Sequence, residues 1–160
     1  MKAYAVFGLI ILIAACSQIA EKSSSQAVQE SNNKESGNGE PESYGAVLAG
    51  TTTKYSEFTK AEYDKALADG KTVLLYFFAD WCPVCQHEQQ DTKAAFAELQ
   101  DPNIVGFRVH YKDSGVDQDM KDLVTKYGIT YQHTKVIIKG NEIRKSLESW
   151  DKERYLQELA

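Results

Sequence analysis

Three cysteines in 160 residues are too few to staple a small fold together. They fall as one N-terminal residue, Cys16, and one close pair, Cys82 and Cys85, so the two groups need separate explanations. Positive charge is not in surplus: the formal net charge is −5, which gives no electrostatic ground for nucleic-acid binding and mainly supports solubility. There is no Gly-rich phosphate loop and no internal repeat. Gln86, not histidine, follows Cys85, so the haem-attachment pattern is missing too. No cofactor is therefore expected. Nor does any apolar run reach the roughly 20 residues that a membrane-spanning helix needs.

What stands at the N-terminus is a shorter pattern. Lys2 supplies a positive charge, and Ala3 to Ala15 then runs without one. A positive start, an apolar stretch and small residues read as a secretory signal peptide over residues 1–15. Ile13-Ala14-Ala15-Cys16 resembles the lipobox of bacterial lipoproteins. That resemblance implies a diacylglyceryl group on Cys16 and cleavage just before it. Two or more acyl chains hold a protein on a membrane stably where one does not. The plainer alternative is a cysteine discarded with the signal peptide. The expected location is extracytoplasmic, lipid-anchored to a bacterial membrane.

Residues 16–51 change character. Ser23-Ser24-Ser25, Asn32-Asn33 and Gly37-Asn38-Gly39 stand among scattered Glu and Lys, with few large apolar residues to bury. The segment reads as a flexible tether. About 35 residues of such chain have an r.m.s. span of about 30–35 Å.

Residues 52–160 read as one folded domain. Thr59-Lys60-Ala61-Glu62 fits a capping box opening a helix through Ala68. Thr72 to Phe78 is an apolar run rich in β-branched and aromatic residues, hence a central strand buried on both faces. A helix follows from Pro83 to Leu99, then a strand from Ile104 to Tyr111. Gln118 to Tyr127 carries Met120, Leu123, Val124 and Tyr127 on one stripe, with Gly128 as its C-cap. Lys135-Val136-Ile137-Ile138 is a strand, turned by Gly140-Asn141 into Glu142 to Ser146. Asp151 to Leu159 is a closing helix, with Ser149 as its expected cap. Alternating elements of this kind predict an α/β fold.

Cys82 and Cys85 therefore lie between a strand and a helix. Free N–H groups and partial positive charge at a helix N-terminus favour a thiolate, the reactive form of cysteine. Cys82, at the exposed tip, is the expected nucleophile. Cys85, one turn later, is the expected resolving thiol. Pro83 suits the first helical turn, and Trp81 is expected to cover one side of the sulfur. A structural zinc half-site or an inert buried pair is the alternative. Zinc wants four ligands as a rule, and only His87, His110 and His133 remain to supply them.

Val73 to Phe78 followed by Ala79-Asp80-Trp81-Cys82-Pro83-Val84-Cys85 resembles the active-site strand and turn of the thioredoxin family. The element order agrees, and the likeness runs from about Tyr55 to Ala160. It implies the thioredoxin fold, a mixed sheet of four to five strands flanked by helices, and dithiol–disulfide exchange. Two positions depart from the family. Its cis-proline, in a run like Tyr-Gly-Ile-x-x-x-Pro-Thr, is replaced by His133, followed by Thr134. A cis bond before a non-proline residue costs about 2.5–4 kcal/mol, so a trans bond or supported strain is expected there. Either way His133 should approach Cys82. The family's buried aspartate, proton acceptor for the second cysteine, is replaced by Tyr76, which reads as a core aromatic. His87 and Glu88 are the substitutes on offer, both expected to face solvent.

The motif Cys-Pro-x-Cys resembles glutaredoxins and periplasmic disulfide oxidants, yet tethered relatives with this layout resemble reductases fed by a membrane electron donor. A monomeric reductase or general exchange protein is favoured over an oxidase. Its partners would be client proteins with disulfides or thiols. The rival is an extracytoplasmic metal-binding or metallochaperone protein using Cys82, Cys85 and His133.

Overall fold

The computed structural model describes residues 45–160. The residues read as signal peptide, Cys16 and most of those read as tether lie outside the described residues. The elements run β1 Val47–Ala49, β2 Lys54–Glu57, α1 Lys60–Ala68, β3 Thr72–Phe78, α2 Pro83–Glu98, β4 Ile104–His110, α3 Gln118–Tyr127, β5 Thr134–Lys139, β6 Glu142–Ser146 and α4 Lys152–Leu159. They form one mixed sheet in the order β1-β2-β4-β3-β5-β6. The α/β class holds, but the strands number six rather than four to five. The additional one, β1, falls within the stretch read as tether, and it is held by antiparallel pairing of Val47 with Ser56 and Ala49 with Tyr55. Three residues without alternation carry too little pattern to be read as a strand.

β3 is central because both its faces are apolar. Val73, Leu75 and Phe77 pack with Tyr63 and Ala66 of α1 and with Met120, Leu123 and Tyr127 of α3. Leu74, Tyr76 and Phe78 pack on the other face with Ala95 and Phe96 of α2 and with Tyr155 and Leu159 of α4. Period-two alternation along a strand thus produces two cores, one per face. Each fully buried Leu or Phe contributes about 1.5–3 kcal/mol.

Side-chain caps set the helix starts. Thr59 Oγ1 accepts the Glu62 N–H at 3.3 Å, and Asp117 Oδ1 accepts the Met120 N–H at 2.8 Å. The Glu62 carboxylate turns to the Thr59 hydroxyl, 3.0 Å away, and to the Gly45 N–H at 2.9 Å. It thereby ties the entry to β1 onto α1. The cap of α4 is Asp151, whose Oδ1 accepts the Arg154 N–H at 2.8 Å, and not Ser149. An N-cap must bond two or three residues ahead; Ser149 stands too far back for a helix beginning at Lys152. Gly128 closes α3 in the left-handed region, at φ 57°.

One contact seats α2 against the sheet. A Cβ placed on Gly106 in β4 would lie 2.4 Å from Phe96 Cζ and 2.9 Å from Tyr55 Cδ2. Those two rings stack with centroids 5.2 Å apart. Gly106→Ala is expected to destabilise the domain by about 1–3 kcal/mol through overpacking. Urea unfolding checks this, and an unchanged midpoint would show that α2 yields freely.

Candidate active site

β3, parallel to β4 and antiparallel to β5, ends at Phe78, and α2 begins after a tight turn, so the residues between them lie at the end of the sheet. Three hydrogen bonds shape that turn. Asp80 N–H donates to Asp113 Oδ2 at 3.1 Å, Trp81 Nε1–H to the Lys112 carbonyl at 3.0 Å, and Cys82 N–H to the Ala79 carbonyl at 3.1 Å. Asp113 Oδ2 also meets His110 Nδ1 at 2.8 Å, which braces the turn against β4.

Cys82 is itself the N-cap of α2. Its backbone is extended (φ −91°, ψ 111°), Pro83 takes the first helical position, and Cys82 Sγ accepts the Cys85 N–H at 3.2 Å. The sulfur thus stands where a capping oxygen usually stands, receiving an orphan N–H of the first turn. Both thiols are free. Cys85 is fully buried; Cys82 is only 2% exposed, where an exposed tip was expected. The loop before the neighbouring β5 brings His133 beside the pair. Trp81, by contrast, is 54% exposed, with its indole fixed to Lys112, so it walls the site without sealing it. Val84 is exposed as well, on the outer side of the first turn.

Burial pushes the Cys85 thiol up to about 12, with its hydrogen-bonding contact to Cys82 adding to the effect. Backbone groups of Ala79 and His133 offset part of this. At neutral pH Cys85 is therefore a thiol. The unfolded chain loses this proton near the ordinary thiol value of about 8.5, and the native chain only near 12. Between the two the unfolded chain binds fewer protons, so stability is expected to fall as pH rises. Tyr55, Tyr76 and Tyr155 are also held protonated, chiefly by burial, and only the lesser contribution of Cys85 at Tyr55 and Tyr76 depends on the thiol. Comparing urea unfolding of the dithiol and disulfide forms across about pH 8 to 12 isolates the thiol pair. Parallel pH profiles would refute the buried thiol.

Cys82, Cys85 and His133 come together: one donor atom from each lies within 4.8 Å of the others. No peptide bond among the described residues is cis, and His133 adopts φ 52°. The bond before it is trans and the residue is strained, since left-handed backbone is costly for a non-glycine. Thr134 Oγ1 donates to the Tyr131 carbonyl at 2.7 Å and helps hold this turn.

Behind the pair lies a charged cluster. Glu88, expected to face solvent, is 1% exposed. Its Oε1 accepts from Lys135 Nζ at 2.5 Å, Trp150 N–H at 2.9 Å and the Tyr155 hydroxyl at 3.0 Å. The Tyr76 hydroxyl lies 3.4 Å from both Glu88 Oε2 and the Cys85 carbonyl oxygen, and can donate to either. Lys135 is fully buried and also bonds the Glu148 carbonyl. Burial lowers its pKa, against the pull of Glu88. His87 is exposed, as expected. The signal for Glu88 was its spacing: three residues after Cys85, it shares the inward face of α2 with Gln89, Thr92 and Phe96. The signal for Lys135 was a charge opening the apolar run of β5. In the sheet it stands beside Tyr76.

Residues 54–160 match the family model for thioredoxin. The chain belongs to the thioredoxin family. Among solved structures it is similar to Trxlp from Edwardsiella tarda, at 24% identity and a TM-score of 0.55, with 66% of this chain and 97% of that one covered. The first thioredoxin domain of mouse protein disulfide-isomerase A4 shows 18% identity and a TM-score of 0.54, covering 78% and 84%. Thioredoxin from Aeropyrum pernix shows 17% and 0.52, covering 71% and 90%. Likeness at these identities is likeness of fold. No curated protein matches the chain.

Proposed function

We propose that this protein is a membrane-tethered thiol–disulfide oxidoreductase that acts on extracytoplasmic client proteins. The observation that carries the reading is Cys82 Sγ, set as the N-cap of α2 and bonded to the Cys85 N–H. A thiolate there is stabilised by the helix N-terminus.

The thiolate of Cys82 attacks one sulfur of a client disulfide. That S–S bond breaks, a mixed disulfide forms, and the other client sulfur leaves as a thiolate that takes up a proton. Cys85 then gives up its proton and attacks Cys82 Sγ. The mixed disulfide breaks, the second client thiol is released, and a Cys82–Cys85 disulfide remains. The client gains two electrons and the pair loses them. A membrane-bound dithiol donor, attacking Cys82 Sγ in the same way, restores the reduced pair. Exposed Trp81 and Val84 beside the sulfur offer apolar contact to a client chain.

The buried, protonated Cys85 supports the reductase direction. A thiol whose pKa is raised gains nothing from ionising, so Cys85 adds none of the thiolate stabilisation of the reduced form that makes strong oxidants. Equilibration of the pair in glutathione buffers tests this. A potential near about −270 mV is expected; one near about −120 mV would reverse the direction, and no two-electron couple would end the reading. The anchor has its own test. Wild-type protein made in bacteria is expected to partition into detergent, with a mass increment on Cys16. Cys16→Ser should partition into water. Equal partitioning would remove the tether.

A further inference from the structure

We propose that the dithiol form of this protein binds one copper(I) ion through Cys82 Sγ, Cys85 Sγ and a ring nitrogen of His133. The inference stands on the three donors alone and does not require that disulfide exchange take place.

The donors already form a triangle no wider than 4.8 Å. An ion with bonds of about 2.0–2.3 Å to nitrogen and sulfur needs donors about 4 Å apart, so the site closes with shifts below about 1 Å. They come from distant parts of the chain, the start of α2 and the loop before β5, so their meeting follows from the fold and not from local spacing.

Two further features of His133 point the same way. Its Nδ1 is buried with no hydrogen-bond partner among the described residues. A buried polar atom left unpaired costs about 1–3 kcal/mol, and such atoms call for a partner. Its backbone holds φ 52°, a strained conformation of the kind that gathers at ligand-binding positions. The imidazole is thus delivered to the sulfurs against both local costs.

The donor set selects the metal. Two thiolates and an imidazole are a soft set, suited to copper(I) or zinc. Zinc in a closed site takes four ligands, and the described residues bring only these three together. Copper(I) is satisfied by three. On binding, both S–H protons leave to solvent, two Cu–S bonds and one Cu–N bond form, and copper stays monovalent. The site then carries one net negative charge, which the N-terminus of α2 accommodates; its Cys85 N–H already points at Cys82 Sγ. Oxidation of the pair removes both thiolate donors, so only the dithiol form can bind. Copper and client disulfides therefore compete for the same sulfurs.

The test uses the full chain carrying Cys16→Ser, so that only the pair supplies thiols. The protein is reduced, freed of metal, and titrated without oxygen against copper(I)–bicinchoninate. One copper per chain is expected to leave the chelator, with X-ray absorption showing two sulfurs and one nitrogen. His133→Asn keeps a residue that tolerates left-handed backbone and removes the imidazole; it is expected to weaken binding by about tenfold or more. Cys82→Ser should abolish it. No transfer of copper, equal binding by His133→Asn, equal binding by the disulfide form, or displacement of copper(I) by zinc(II) would each overturn the proposal. The potential of the metal-free protein is measured separately, so failure here and failure of the redox reading are told apart.

Discussion

Cys85→Ser protein, mixed with a disulfide-bonded client, is expected to stall as a covalent adduct through Cys82. The first attack needs only the Cys82 thiolate at the α2 N-terminus. The second needs Cys85, one turn along and fully buried, whose backbone N–H already donates to Cys82 Sγ. A hydroxyl cannot attack the mixed disulfide at neutral pH, so the adduct persists until an added thiol releases it. Turnover should vanish, and a reducible band of summed mass should appear on gels. Cys82→Ser should show neither turnover nor adduct. An adduct formed equally well by Cys82→Ser would exchange the roles of the two cysteines. No adduct with either variant would remove the exchange mechanism altogether.

The second large effect lies in the cluster behind the pair. Lys135→Met is expected to cost about 3–5 kcal/mol, because it leaves the Glu88 carboxylate buried without its cation. The loss is a large share of the about 5–15 kcal/mol by which domains are stable. Glu88→Gln strands the Lys135 ammonium in the same way and should cost a similar amount. The double variant Glu88→Gln, Lys135→Met removes both charges, and it is expected to recover most of the loss. Urea midpoints of the four proteins complete the cycle. Costs that simply add would show that the two groups do not act as a pair. Because the Tyr76 hydroxyl can donate to Glu88 or to the Cys85 carbonyl, the single variants should also slow release of the mixed disulfide.

The position of that cluster shows where sequence reading stopped short. Glu88 and Lys135 are charged, and charged residues are normally solvated. Each is 47 or more positions from its main partners, apart from the nearer Tyr76 and Glu148. Neither the spacing of α2 nor the composition of β5 states that the two side chains meet. Seen alone, Glu88 sits among polar neighbours, His87 and Gln90, which pulls the reading outward. Only the packing of α2 and β5 on one face of the sheet, with Trp150 and Tyr155 closing over them, turns two isolated charges into one neutral, hydrogen-bonded unit. β1 carries no signal in the sequence for a related reason: its order comes from pairing with β2, not from a pattern of its own.

Local chemistry was legible from the start. Strand, turn and helix around Cys82-Pro83-Val84-Cys85 follow from an apolar run, a tight turn and a proline at the first helical position, all within 14 residues, from Thr72 to Cys85. So do the caps at Thr59 and Gly128, because each depends on neighbours at most four residues away. What the sequence by itself determined, then, is the α/β fold and the cysteine pair at its helix N-terminus. The tertiary structure decided how that pair is surrounded: His133 laid onto both sulfurs from another loop, Cys82 nearly closed to solvent, and Glu88 with Lys135 in place of a single buried acid. These are contacts between segments far apart in the chain. Local propensity and periodicity act over a few residues, whereas burial and charge pairing depend on which faces the whole sheet brings together.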